Sequence, residues 1–358
     1  MPIDIVQQRL HNQKLSNPAF KSAAQVVDWL GVVQSQDYAA AKWAVAQRTK
    51  GLNDADLDQA FAEGSILRTH ILRPTWHFVT PKDIRWMLKL SAPRILAQSA
   101  SYFRNANLDK ALFKRSNAVL IKALQGGNQL TRAELVSILK KNKIANADLL
   151  QFTYLLIYAE LEGLICSGGR EGKQFTYTLL EERVPPVKAL ERDLALAELA
   201  KRYFISHGPA TLKDYTWWSG LTAKDAREGL ETVKSMLEQE TIGDKVYWFG
   251  GSTPIKKDRE VRAYLLPNYD EYTVAYADRC AIYDQQHNKK LDARGNFLFN
   301  NVIVIDGQVV GTWKRTPKKN AVIVELNPFR PFSKAEKQAL DQALGDFGTF
   351  LDMKVELK

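Results

Sequence analysis

Apolar and polar positions along this chain follow two rhythms, a helical one and a strand one, and the switch between them recurs. The clearest case runs from about Arg115 to Arg183. Ala118-Val119-Leu120-Ile121-Lys122-Ala123-Leu124 reads as a helix that stops at Gly126-Gly127, because glycine readily takes the left-handed turn that ends a helix. Thr131-Arg132-Ala133-Glu134 has the spacing of a capping box, and Leu135, Ile138 and Leu139 then fall on one helical face. Asp148 is placed to open a third helix with Phe152, Leu155, Leu156 and Ala159 facing inward. Strand patterns follow at Leu164–Cys166 and Gln174–Leu179, with a turn expected at Ser167–Arg170. That order describes a helix-turn-helix with a two-stranded wing.

The same plan returns at about Glu191 to Gly251. Leu194–Phe204 is a helix, and Thr211 and Thr222 each cap a later one. The wing is Leu237–Thr241, a turn at Gly243-Asp244, and Lys245–Phe249. A looser copy opens the chain, with helices at about Asp4–Asn12, Ala23–Val33 and Asp54–Ala62 before a hairpin at Ile66–Val79. Helical pattern also covers Ala39 to Arg48. Beyond Gly251 the pattern turns to strands. Asp306-Gly307 between two β-branched runs signals a hairpin, Ala321–Leu326 is a further strand, and Ser333 caps a last helix. The expected fold is α+β: three tandem winged-helix repeats (residues 1–85, 86–185 and 186–255), then a C-terminal β-rich domain at 256–358. Each recognition helix could enter a DNA groove or be buried in repeat packing.

Composition narrows the partner. A chain of 358 residues fits about two to four domains. Its net charge of +10 favours a polyanionic partner, most simply nucleic acid. Cys166 and Cys280 lie far apart and form no CxxC, so neither a disulfide framework nor a zinc site is expected. The histidines show no HExxH spacing, and no metal or cofactor is expected. No apolar run spans a bilayer, and the N-terminus lacks the pattern of a signal peptide, so a cytoplasmic protein without membrane attachment is expected. There is no long amphipathic heptad for dimerisation, consistent with a monomer.

The candidate chemistry lies at Gln34-Ser35-Gln36-Asp37, just after the apolar run Trp29–Val33, and at Arg68–Val79. Residues two apart on a helix point about 200° apart, so one pocket cannot receive both glutamines from a regular helix. The helix is therefore expected to end near Val33, leaving the motif extended or irregular. In extended backbone Gln34 and Gln36 would share a face with Ser35 opposite. The plainer alternative is a helix C-terminus with two solvated glutamines. Along the hairpin Trp76 and His77 alternate, and Trp76 is expected to face the core.

These stretches, together with Leu265-Leu266-Pro267-Asn268-Tyr269-Asp270-Glu271-Tyr272, resemble the AlkZ/YcaQ-like winged-helix DNA glycosylases. The resemblance covers nearly the whole chain. It implies a DNA repair enzyme, bacterial and associated with the nucleoid. Its substrate would be double-stranded DNA carrying N7-alkylated purines, and interstrand crosslinks could be unhooked. Gln34 and Gln36 match the two catalytic positions of that family's Gln-x-Gln branch. Ser35, where an aliphatic residue is usual, and Pro74, where glycine is commoner, depart from the pattern.

Neutral amides suit such a substrate. An N7-alkylguanine already carries positive charge, so it leaves without a strong general acid. What remains is to place a water and to tolerate an oxocarbenium-like sugar, which amide oxygens can do. No lysine stands in the motif to form a Schiff base, so a monofunctional glycosylase is expected. Asp37 would add a charge or cap a helix. Arg68 and Arg73 would bind phosphate or form surface ion pairs. His77 would orient water, contact phosphate or sit as a satisfied strand histidine. Lys42, on a helix, is a phosphate candidate. Lys314, Arg315, Lys318 and Lys319 beside the Asp306-Gly307 hairpin form either a phosphate-binding cluster or a solvated loop. Asp270 and Tyr272 are expected to hold the C-terminal domain on the repeats. The competing reading is a non-catalytic winged-helix transcriptional regulator with a preferred site, and RNA binding is a third.

Overall fold

The computed structural model describes residues 3–144, 149–187, 190–251, 260–291 and 297–358. The first unit runs α1 (Ile5–Asn12), α2 (Ala23–Leu30), β1 (Val33–Gln34), α3 (Tyr38–Ala46), α4 (Asp54–Glu63), β2 (Leu67–His70) and β3 (Trp76–Val79). Its three strands form an antiparallel sheet with β3 in the middle. The second unit begins with α5 (Pro81–Asn105), a 25-residue helix that runs through the 85/86 position where a boundary was expected. Proline at its first position suits a helix start, since that N–H has no intrahelical partner.

Then come α6 (Lys110–Leu124), β4 (Leu130–Thr131), α7 (Arg132–Lys141), α8 (Leu149–Leu161), β5 (Ile165–Glu171), β6 (Gln174–Leu179) and α9 (Leu180–Arg183). Thr131 caps α7 through the expected box with Glu134. The start of α8 expected at Asp148 lies outside the described residues. The hairpin turn differs from the expectation. Ser167–Arg170 is a bulge inside β5, and the chain reverses beyond Glu171, with Gly172 at φ +57°. Gly168 is needed for closeness rather than for turning, because a Cβ there would lie 2.4 Å from Thr176 Oγ1.

The third unit comprises α10 (Arg192–His207), α11 (Leu212–Ser219), α12 (Ala223–Val233), β7 (Glu238–Ile242) and β8 (Lys245–Phe249). Thr211 and Thr222 cap α11 and α12 as expected, and β7 pairs with β8 about the Gly243-Asp244 turn. The C-terminal part holds β9 (Ala263–Leu266), α13 (Glu271–Val274), β10 (Asn301–Ile305), β11 (Gln308–Pro317), β12 (Ala321–Pro328), α14 (Lys334–Leu351) and β13 (Lys354–Leu357). Its sheet has the order β13-β12-β11-β10-β9, with β13 parallel to β12.

The described cores join these parts. One packs the first hairpin (Leu67, Ile71, Val79) against α5, the third unit (Tyr203, Phe204, Trp218) and Tyr276. Another packs α2 and α3 against the C-terminal sheet through Trp43, Leu265, Trp313 and Phe347. The second unit encloses its own core around Phe113, Leu135 and Phe152. A bidentate pair, Arg48 to Asp270 at 2.9 Å for both hydrogen bonds, fastens the first unit to the C-terminal part with both side chains buried. Tyr272 donates its hydroxyl to Gly307 O at 2.8 Å. Asp270 thus has the anchoring position expected of it, whereas the hydroxyl bond of Tyr272 stays within the C-terminal part and its ring meets the first unit by packing in one core with Leu10 and Leu15. No helix among the described residues is long and apolar enough to cross a membrane.

Candidate active site

The glutamine motif is positioned by alternation between two cores. Helix α2 stops at Leu30, earlier than Val33, because Gly31 caps it at φ +81°, a conformation costly for any side chain. Val32 then packs into the core around Trp218, and Val33 into the core around Trp313. This fixes the register of β1, with Val33 opposite Phe78 and Gln34 opposite His77. Gln34 is therefore buried, on the side of His77, Thr69 and the first core.

Extended pairing ends there. Ser35 N still donates to Trp76 O at 2.8 Å, but the chain bends at Gln36 and Asp37 into α3. Asp37 is the N-cap, accepting from Ala40 N at 3.0 Å. The two glutamines consequently do not share a strand face. Gln34 is 8 % exposed, whereas Gln36 is at the surface.

Gln34 meets two charged groups. Its Oε1 accepts from Arg73 Nη2 at 3.0 Å, and its main-chain N–H donates to Glu271 Oε1 at 3.1 Å. Arginine has only donors, so the amide oxygen, not the nitrogen, must face it. Arg73 Nη2 also lies 3.2 Å from His77 Nε2, which must then be the acceptor, while His77 Nδ1 donates to Thr75 O at 3.0 Å. Burial and the Arg73 charge push the His77 pKa down to about 3, so the ring is neutral around pH 7. Burial also lowers the pKa of Arg73. A cavity of about 610 Å³ opens on the far side of Arg73, walled in part by Pro74, Arg94, Lys213 and Trp217.

Beneath Gln34 lies Glu271, fully buried, with Oε2 accepting from Trp218 Nε1 at 2.9 Å and lying 3.4 Å from His207 Nε2. Burial raises the Glu271 pKa, but His207 and the Arg73 charge outweigh it and hold the carboxyl at about 2. Sequence reading passes over this residue. Its one signal is a second carboxylate next to Asp270 within an otherwise apolar and aromatic stretch.

The remaining candidates separate. Arg315, on β11, approaches Asp37 at 3.7 Å, so the C-terminal hairpin stands beside the motif. Lys314 near the end of β11, and Lys318 and Lys319 in the turn to β12, are exposed, so the cluster lies at the end of β11 away from the Asp306-Gly307 turn rather than beside it. Lys42 is not a surface cation. It is 3 % exposed and bonded to Asp54 at 2.7 Å and Asp58 at 2.9 Å, which leaves it no reach to a phosphate. Arg68 is also withdrawn from the surface and makes no ion pair among the described residues. Its guanidinium lies 4.4 Å from the ring centres of both Trp76 and Phe175, and its Nε donates to Ser35 O at 3.1 Å. It braces the motif from behind. The expected orientation of Trp76 and His77 is reversed: His77 is fully buried and Trp76 is half-buried. β3 is the central strand and is covered on both faces. A histidine is tolerated in it because Thr75 and Arg73 satisfy both ring nitrogens. Among the described residues no group of His, Cys, Asp and Glu side chains is arranged to hold a metal ion.

Comparison with known proteins bears on the fold and the family. The chain is 24% identical over 349 residues to an interstrand DNA cross-link repair glycosylase of Streptomyces sahachiroi, covering 92% of each chain. The solved structure of Streptomyces sahachiroi DNA glycosylase AlkZ superposes with a TM-score of 0.80 at 20% identity, over 99% of this chain and 98% of that one. The family described as "DNA glycosylase AlkZ-like" matches residues 27–350, and the chain belongs to that family of DNA glycosylases.

Proposed function

We propose that this protein is a monofunctional DNA glycosylase that releases N7-alkylated purines from double-stranded DNA and unhooks interstrand crosslinks made through N7. Gln34 and Gln36 are its catalytic residues. The observation that carries the reading is an uncharged pair of amides at a half-open seam, one held by Arg73 and Glu271, the other exposed. In the reaction the C1′–N9 bond breaks and its electron pair goes to the purine, cancelling the positive charge that alkylation put there. A water oxygen then bonds to C1′ and gives its proton to solvent. The motif holds that water, and no protein acid is required.

The three helix–hairpin units serve as winged helices that grip duplex DNA without reading its sequence. Lys314, Lys318 and Lys319 reach phosphates beside the lesion, and the protein acts as a monomer in the bacterial cytoplasm, at the nucleoid. A bulky crosslinked base does not enter a snug pocket, and the exposure of Gln36 fits a site worked from the duplex surface. The test measures base release from one duplex with a single N7-methylguanine and one with an N7-linked interstrand crosslink. Wild type should release base, while a Gln34→Ala, Gln36→Ala double variant should bind DNA equally and release none. Release by the double variant would sink the assignment.

A further inference from the structure

Gln34 is held by one end of its amide. Arg73 occupies Oε1, and among the described residues no acceptor meets Nε2. The main chain on the other side is fixed by Glu271, so the residue cannot rotate as a whole without breaking both hydrogen bonds. A guanidinium cannot accept a hydrogen bond, so flipping the amide would set N–H against N–H. The two hydrogens of Arg73 Nη2 have two acceptors in place, Gln34 Oε1 and His77 Nε2, and the His77 tautomer that this requires is the one its bond to Thr75 O selects.

We propose, building on the glycosylase reading above, that Arg73 is a positioning residue that presents Gln34 to the substrate as a hydrogen-bond donor. Gln36 alone then offers an amide oxygen to the attacking water. The two glutamines of the motif do different work. Gln34 Nε2–H faces a lone pair on the departing purine, and that bond gains strength as the electrons of the C1′–N9 bond move onto the base. A donor placed where electron density develops contributes more to the transition state than to the ground state.

The experiment compares Arg73→Met, Arg73→Lys and Gln34→Glu with wild type, in single turnovers at saturating enzyme on an N7-methylguanine duplex. Arg73→Met keeps an unbranched apolar stem in place of the arginine stem but donates nothing. It should slow release by about 10²-fold, the scale of losing one oriented donor, with unchanged DNA affinity and with unfolding that stays cooperative at a lowered midpoint, because Gln34 Oε1, His77 Nε2 and Glu271 lose the guanidinium. Arg73→Lys, which restores one donor, should recover most of that rate. Gln34→Glu keeps the bond to Arg73 yet turns the outward N–H into oxygen, and it should be as slow as Arg73→Met. Wild-type rates in Gln34→Glu would overturn the proposal, as would no rescue by Arg73→Lys. A readout independent of activity is ¹⁵N-histidine NMR. His77 should appear as the Nδ1–H tautomer at pH 7, and its Nε2 signal should move in Arg73→Met. The opposite tautomer would overturn the geometry even if wild type released no base from this substrate.

Discussion

Replacing Glu271 with glutamine tests the centre of the site with a change of one atom. Two donors converge on this carboxylate, the main-chain N–H of Gln34 on Oε1 and Trp218 Nε1 on Oε2. A glutamine would turn an NH₂ group toward one of them, and a buried donor left without an acceptor costs about 1–3 kcal/mol. The electrostatic contribution is of similar size. The carboxyl pKa is about 2 in the folded protein against an ordinary value of 4.5, which corresponds to stabilisation on the order of 3 kcal/mol at neutral pH.

The two contributions are not additive, because all of these groups act on one buried carboxylate. A decrease of about 3–4 kcal/mol is therefore expected for Glu271→Gln at pH 7. The folded pKa lies below the unfolded one, so this stability is fully present above 4.5 and disappears as pH falls toward 2. Glutamine does not titrate there. Urea unfolding of both proteins at pH 7, 5 and 3 should show the gap nearly constant from 7 to 5 and clearly smaller at 3. Titrations common to both proteins cancel in the difference. A gap that stays constant down to pH 3, or one under about 1 kcal/mol at pH 7, would mean that Glu271 is not an ionised acceptor and that Gln34 is held by something else.

The Arg48–Asp270 pair makes a second stability test. Asp270→Ala leaves a guanidinium buried without its counter-ion and should cost about 3–5 kcal/mol, read by urea unfolding, whereas an Arg48→Met, Asp270→Leu double variant should recover much of that. For the C-terminal hairpin, Lys318→Ala with Lys319→Ala should weaken binding equally on unrelated duplexes. It should also flatten the slope of log affinity against log salt by about 0.9 for each phosphate no longer neutralised, and an unchanged slope would remove these lysines from the interface.

Much of the fold is legible in the sequence because helix starts carry local chemistry. Thr131, Thr211, Thr222 and Ser333 all cap the helices that their sequence spacing announces. What escapes depends on distant partners. β13 alternates Lys354, Val355, Glu356 and Leu357 at a sheet edge, a pattern too short and too charged to read as a strand without β12 beside it. The Gly168-Gly169 pair looks like a turn, but its meaning is the close approach of Thr176 and Gln129. The order of Trp76 and His77 is misread because alternation assumes one wet face, and β3 has none. In the site, the position of Gln34 and Gln36 is readable, but their difference is not. It is set by Arg73, 39 residues away, and by Glu271, 237 residues away.

That dependence on distance explains how a pair of glutamines becomes a specific site. Gln-x-Gln is a weak pattern, and an isolated Gln34 would be solvated and free to rotate. β1 alternates between two cores, one shared with the third unit and the other with the C-terminal sheet, so its register exists only once those parts are packed. The C-terminal part then closes the site from two sides, with Glu271 below Gln34 and Arg315 beside Asp37. The charges are arranged to cancel. Arg73 alone would place a cation next to the motif and oppose a purine that already carries positive charge. The buried Glu271 carboxylate offsets it, as each group's effect on the other's pKa records. Arg73 can thus aim the amide without leaving an uncompensated positive charge beside the neutral Gln34 and Gln36. An arginine there without a carboxylate beneath it would set the same geometry and work against the substrate proposed for it.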